Sequence, residues 1–251
     1  MAAEQQTVDA LGQFELHPVL GPLGTELHLS QSVLYMLLAS ALILIFLYAG
    51  MRPRALIPGR FQAAAEMLYE FVYKMADDTI GAQGARFFPF VFTIFTFILV
   101  GNYVGLVPGS FTYTSHIAVT AALAITVFVV AVIVSLVSQG LGFFTHFMPE
   151  GAPLALAPLL VPIEILTFLM RPVSLAIRLF ANMVAGHVMF DMFAAFTILL
   201  GGLHVIGPVL GAAPIVVNIA LMGLELLVGA LQAYVFAILT CIYLSEAVAT
   251  H

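Results

Sequence analysis

Residues 158–200 read Pro158-Leu159-Leu160-Val161-Pro162-Ile163-Glu164-Ile165-Leu166-Thr167-Phe168-Leu169-Met170-Arg171-Pro172-Val173-Ser174-Leu175-Ala176-Ile177-Arg178-Leu179-Phe180-Ala181-Asn182, then run through His187 and Asp191 to Leu199-Leu200. The pattern is helical and almost wholly apolar. At about 1.5 Å per residue it would make a helix roughly 65 Å long, against a hydrocarbon core of about 30 Å. A single upright crossing is therefore excluded, and the stretch must bend or lie strongly tilted. Pro162 and Pro172 could kink it, but no Gly-Pro break divides it in two. Its charges are the second oddity. An arginine inside a membrane helix costs a few kcal/mol, about +2.5 to +3.5 on insertion scales. Arg178 has no acid nearer in sequence than Asp191, so its counter-charge has to come from elsewhere.

The surrounding chain gives that helix its setting. Of 251 residues 63% are hydrophobic and only 8% charged, where soluble domains carry roughly 25% charged residues. Several separate apolar runs of membrane length succeed one another, so none is merely a signal peptide. In lipid the backbone must satisfy itself, and the class expected is an all-α membrane protein. The single cysteine, Cys241, cannot form an internal disulfide and reads as packing. A net charge of −6 implies no nucleic-acid partner, and no glycine-rich phosphate loop is present. Neither a cofactor nor a metal is expected.

The rest of the chain is arranged outward from the long helix. Residues 1–29 form a polar tail broken by Pro18, Gly21, Pro22 and Gly24, and residues 30–251 form one membrane domain. The first span is expected from Ser32 to Ala49, capped by Ser30 and ended by Gly50 and Pro53. Five of the seven cationic residues come after it: Arg52, Arg54, Arg60, Lys74 and Arg86. The positive-inside rule makes that region cytoplasmic and the N-terminus external. Within it Phe61, Ala65, Leu68, Val72 and Met75 share one face while Gln62, Glu66, Glu70 and Asp77 mark another, so 59–78 reads as an amphipathic helix at the interface. A second span covers Phe87 to about Val107, and a third Ile117 to about Phe144. Asn102 in the second is either a packing hydrogen bond or part of a hydrated vestibule. Thr120, Thr126, Ser135, Ser138 and Gln139 in the third look structural. His146, Pro149, Glu150, Gly151 and Pro153 make the next, cytoplasmic, loop. Gly201-Gly202, Gly207-Pro208 and Gly211 to Pro214 make a turn, and Ile215 to Val248 is again long. Residues 158–248 thus form a tilted helical hairpin, the last two of about five membrane helices.

The hairpin's polar residues are ordered. At about 100° per residue, Glu164, Thr167, Arg171, Ser174, Arg178 and Asn182 fall on one stripe. His187 lies on the far side of that helix and shares its face with Asp191. On the last helix Asn218, Glu225 and Gln232 form another stripe. Folding the antiparallel helices about residue 207 brings His187 level with Glu225, and Arg178 within about a turn of Gln232. An imidazole and a carboxylate at equal depth can exchange protons. Buried pairs that merely hold the hairpin together are the alternative, most plausible for Asn182, Asn218 and Gln232 and least for Arg178.

The stretch Arg171 to Met183 resembles the signature of subunit a of F-type ATP synthases. So do Leu231 to Thr240 with Tyr243-Leu244, and Asn102 to Pro108. The resemblance covers about residues 30 to 247. It implies a proton-translocating stator in a rotary machine, offering two offset half-channels to the carboxylates of a ring of subunit c, with no catalysis in this chain. Arg178 matches the family's essential arginine, the separator of the half-channels, whose counter-charge the ring supplies. Asn182, His187, Glu225, Gln232 and Asn102 match an outer half-channel, and Glu164 an inner access route. Many bacterial members have the acid on the first helix and the histidine on the second. His187 and Glu225 are the reverse, as in mitochondrial-type enzymes, with Asp191 a third candidate for first acceptor. Implied partners are the c-ring, peripheral-stalk subunit b, the soluble catalytic head (indirectly) and the lipid bilayer. The implied setting is a bacterial inner membrane, with the mitochondrial inner membrane as alternative. A self-contained proton-coupled transporter is the rival reading, against which stands the lack of an internal repeat. A purely structural anchor leaves Arg178 unexplained.

Overall fold

The computed structural model describes residues 31–51, 59–107, 110–140, 142, 156–202 and 207–248, and among these every regular element is helical. Helix α1 spans Gln31–Met51, α2 Arg60–Ile80, α3 Gly84–Gly105, α4 Ile117–Gln139, α5 Ala157–Gly201 and α6 Gly207–Val248. Short 3-10 turns lie at Gly81–Gln83 and Tyr113–Ser115. Among the described residues five stretches are long and apolar enough to cross a membrane, α2 and α3 counting together as one. The protein is thus an all-α membrane protein. The polar tail, the Ser30 cap, Arg52, Arg54 and the loop carrying His146 and Glu150 lie outside the described residues.

Each helix turns to its neighbours the face its sequence allows. Apart from the small Ser32, Ala39 and Gly50, α1 buries nothing, and Leu37, Leu44, Ile45 and Tyr48 stand exposed. Helix α2 is amphipathic. It turns Ala65, Val72, Met75 and Ala76 inward, and an exposed Glu70–Lys74 pair (2.7 Å) lies on its outer side. In α3 the inward residues are Phe88, Val91, Ile94, Phe95 and Ile98, and α4 contributes Ala124 and Val127. Together with Leu175, Ala176 and Leu179 of α5 and Ala233, Phe236, Ala237, Cys241 and Leu244 of α6 they form one core. Hydroxyls inside helices bond back to their own turns, as Thr96 does to the Phe92 carbonyl and Thr126 to that of Ala122. The expected packing role of Cys241 is what is seen.

Two expected boundaries are corrected. The third membrane helix stops at Gln139 rather than near Phe144, because Gly140 takes φ +57° and its N–H closes on the Leu136 carbonyl. The turn between the long helices is shorter than Gly201 to Pro214. Helix α6 begins at Gly207 and runs through Pro214, so the glycine-rich start of that segment is helical. In an apolar medium a helix missing one hydrogen bond at a proline is better than an open loop whose groups find no water. Gly211 packs against the backbone of Gly201, which lets the two helix ends cross closely.

Helices α5 and α6 are antiparallel and in contact along their length. Asn218 donates to the Phe190 carbonyl (3.5 Å), Glu225 lies against Gly186, and Arg171 pairs with Glu246. These contacts straddle the 203–206 connection nearly symmetrically, which is the register expected of a hairpin folded about that point.

Candidate functional site

The face of α5 that carries Arg178 is largely uncovered. Arg178 is exposed, and so are Leu166, Val173 and Ile177 along the same helix and Leu227 and Leu231 along α6. Among the described residues Arg178 makes no hydrogen bond and no ion pair. A permanent cation therefore stands exposed on an otherwise largely apolar helix, without a partner among the described residues.

Cavities open along the hairpin on either side of that cation. One, of about 270 Å³, is lined by Thr167, Met170, Arg171, Ser174, Leu175 and Arg178 from α5 and by Leu239 and Tyr243 from α6. It brings together four members of the expected stripe, Thr167, Arg171, Ser174 and Arg178, but not Glu164 or Asn182. The other, of about 460 Å³, lies toward the hairpin's turn. His187, Asp191 and Asn218 supply its polar lining, with Gly105 to Val107 and Ser110 from the end of α3 and the segment just beyond that helix. Along α5 the first cavity reaches Arg178 and the second begins at His187, about 13 Å of helix further on.

Of the proton-competent groups, His187 and Asp191 line the second cavity, and Glu225 lies against Gly186 rather than on the cavity wall. The Nε2 of His187 lies 2.7 Å from Thr112 Oγ1, and Asp191 is one helical turn further along the same face. Glu225 is buried, 6% exposed, with its carboxyl in a notch above Gly186, where an added Cβ would stand only 1.9 Å from Oε1. His187 and Glu225 are thus at equal depth, as the register predicts. Glu225 Oε1, Asn182 Nδ2, Asn218 Oδ1 and Gln232 Nε2 are buried with no hydrogen-bond partner among the described residues. All four belong to the hairpin, and each costs stability unless something else satisfies it.

Asn102 behaves differently. It is 0% exposed, donates to the Gly229 carbonyl (3.0 Å) and accepts from Thr114 Oγ1 (2.9 Å). Both ends of its amide are engaged, so of the two readings of this residue its geometry matches the packing one. The same contact fixes the segment between α3 and α4. Tyr113 donates to the Phe97 carbonyl (2.7 Å) over Gly101, where a Cβ would strike its ring, and Thr112 packs against Gly105. Burial raises the Tyr113 phenol well above its ordinary range and lowers the His116 imidazole, each by desolvation. The polar segment 110–116 is thereby held where Thr112 meets His187.

Sequence reasoning missed Thr112, Gly186 and Glu246, and took Tyr243 only as part of a family signature. Nothing in the sequence pairs Thr112 with a helix 75 residues away. Glu246 was there to be found. It continues the seven-residue stripe of Asn218, Glu225 and Gln232 two steps on, and the antiparallel register places it beside Arg171.

Comparison with known proteins identifies the family. The family model described as ATP synthase A chain matches residues 33–245. A protein of Gluconacetobacter diazotrophicus named ATP synthase subunit a is 71% identical over 98% of this chain and 99% of its own length. Its namesake in Gluconobacter oxydans is 67% identical over the same shares, and that of Granulibacter bethesdensis 55% identical over the whole of both chains.

Proposed function

Because the chain belongs to the ATP synthase A chain family, we propose that it is the stator along which protons reach and leave the carboxylates of a rotating ring of subunit c. Membership makes it a multi-pass membrane component of ATP synthase, concerned with proton transport. The observation that carries the finer reading is Arg178, a cation without a partner among the described residues, exposed on the polar stripe of an otherwise largely apolar helix, with cavities along the hairpin on either side. A helix bearing a carboxylate at the same depth supplies what that face lacks.

The basic region around α2 is cytoplasmic by the positive-inside rule. The cavity at His187, Asp191 and Asn218 then opens toward the outer side and the one at Arg171 and Ser174 toward the inner side. A proton enters the outer cavity, passes by way of His187, Glu225 or Asp191, and neutralises a ring carboxylate. Neutral, that carboxyl moves into lipid without the cost of an exposed charge. After almost a full turn it reaches the inner cavity and ionises beside Arg178. A guanidinium keeps its proton throughout, so Arg178 attracts the carboxylate yet blocks direct proton passage between the cavities. The four hairpin atoms without a partner among the described residues lie where hydration and proton exchange are needed. Asn182 and Gln232 serve the outer route beside Arg178, and Glu164, nearer the start of α5, the inner one. Asn102 acts by docking α3 on α6. The drive is about 2.3 kcal/mol per proton per 100 mV. ATP is made by the soluble head, which subunit b holds against this chain, in a bacterial inner membrane.

The test is to purify the complex through a tag on this chain and weigh its subunits intact. A ring of many c subunits together with subunit b is expected. A chain that purifies alone and conducts protons by itself in liposomes would overturn the proposal in favour of a self-contained transporter.

A further inference from the structure

Two arginines, not one, line the inner cavity. Arg171 and Arg178 lie two helical turns apart on the same face of α5, and both reach the 270 Å³ space with Ser174 and Tyr243. Their surroundings differ. Arg178 has no ion-pair partner among the described residues, whereas Arg171 is engaged on several sides. Its Nη1 pairs with Glu246 Oε2, and its guanidinium lies over the rings of Tyr243 (5.4 Å) and Phe168 (5.7 Å). The pair is partly withdrawn from the surroundings, with side chains 23% and 39% exposed. Gln139 at the end of α4 donates to the Glu246 and Ala247 carbonyls (3.2 and 3.3 Å), which braces that end of α6.

An unpaired guanidinium attracts any carboxylate that enters its cavity, and it does so strongly where water is scarce. Two free guanidinium groups would offer an ionised carboxylate two stopping places about 10 Å apart along the helix. The second would hold it after the first had let it go. Pairing Arg171 turns a net charge into a local dipole, whose pull falls off faster with distance.

We propose that Glu246 is a positioning residue that takes Arg171 out of competition for the ring carboxylate and leaves Arg178 as the one cation it can engage. This rests on the proposed function, in which ring carboxylates pass Arg178. Arg171 is held by Glu246 and the two rings, fastens the inner end of the hairpin and stays out of the transfer. A simple fastening would need neither charge, and a neutral pair would serve it as well.

The experiment measures ATP-driven proton pumping per assembled complex in inverted membrane vesicles carrying the whole ATP synthase. Glu246→Gln frees Arg171, and pumping should fall on the order of tenfold, as for one lost charge interaction. Glu246→Asp keeps the counter-charge and should stay within about threefold of wild type. The double variant Arg171→Gln/Glu246→Gln removes the competitor along with its partner and should recover to that same range. If Glu246→Gln does not assemble, the double variant carries the test alone, and near-wild-type turnover in it supports the proposal. Three results overturn it: normal turnover per complex in Glu246→Gln, a loss confined to the amount assembled, or a double variant as slow as the single. Arg178→Ala runs alongside. If it pumps normally, the underlying reading has failed. If it does not pump while Glu246→Gln does, only the role of Glu246 falls.

Discussion

A carboxyl in a notch is a more exacting arrangement than a carboxyl in an open cavity, and Glu225 has the former. The missing side chain of Gly186 is what makes the notch, since a Cβ there would stand 1.9 Å from the carboxylate oxygen. Gly186→Ala should be tolerated by α5 itself, where alanine is the better helix former by about 1 kcal/mol. It must, however, push Glu225 out of line with His187. Misplacing a reacting group by about 1 Å can cost two orders of magnitude in rate. The expected result is normal assembly with proton pumping reduced at least about tenfold. Pumping at the wild-type rate would contradict Glu225 as a proton-exchanging group at that position.

At the scale of elements, the outer cavity depends on α3 and the segment between it and α4. Asn102 ties α3 to the Gly229 carbonyl on α6 and takes the Thr114 hydroxyl, so one amide docks two elements. Asn102→Leu keeps the branched shape, with somewhat more bulk, and strands the carbonyl and the hydroxyl in a dry interior, at a cost of about 1–3 kcal/mol. Thermal unfolding of the solubilised complex should shift down, and pumping should slow as Thr112 loses its station beside His187. A variant with unchanged unfolding would show that the amide is not the tie. Legibility differed sharply between these elements. The helical hairpin, its register and the equal depth of His187 and Glu225 came from apolar length, helical period and symmetry about the turn, all of them local or nearly so. The contact of Thr112 with His187 did not, because it depends on how an irregular segment packs against a distant helix. The helical Gly207 to Pro214 stretch was misread for a different reason. Glycine and proline signal turns in water, but in lipid the need to satisfy the backbone outweighs that preference.

At the scale of the whole molecule, orientation decides which cavity takes up protons and which releases them. It rests on the cations between the first and second membrane helices, Arg60, Lys74 and Arg86 among the described residues. Cysteine placed at the exposed Glu66 of α2, or at the exposed Val107 after α3, reports it, with the buried Cys241 replaced. An impermeant thiol reagent should label the Glu66→Cys variant only from the cytoplasmic side and the Val107→Cys variant only from the other. The opposite pattern would exchange the roles of the two cavities.

The central claim is that the Arg178 guanidinium both engages a passing carboxylate and keeps protons from running straight between the cavities. It is tested most directly by proton conductance through the membrane sector after the soluble head is stripped, together with coupled ATP synthesis before stripping. Arg178→Ala is expected to abolish synthesis and raise passive conductance above wild type. Arg178→Lys, a point charge that can lose its proton and lacks the planar fork, is expected to fail in synthesis as well. Near-normal coupled synthesis in Arg178→Lys membranes, or an Arg178→Ala sector no leakier than wild type, would contradict the account.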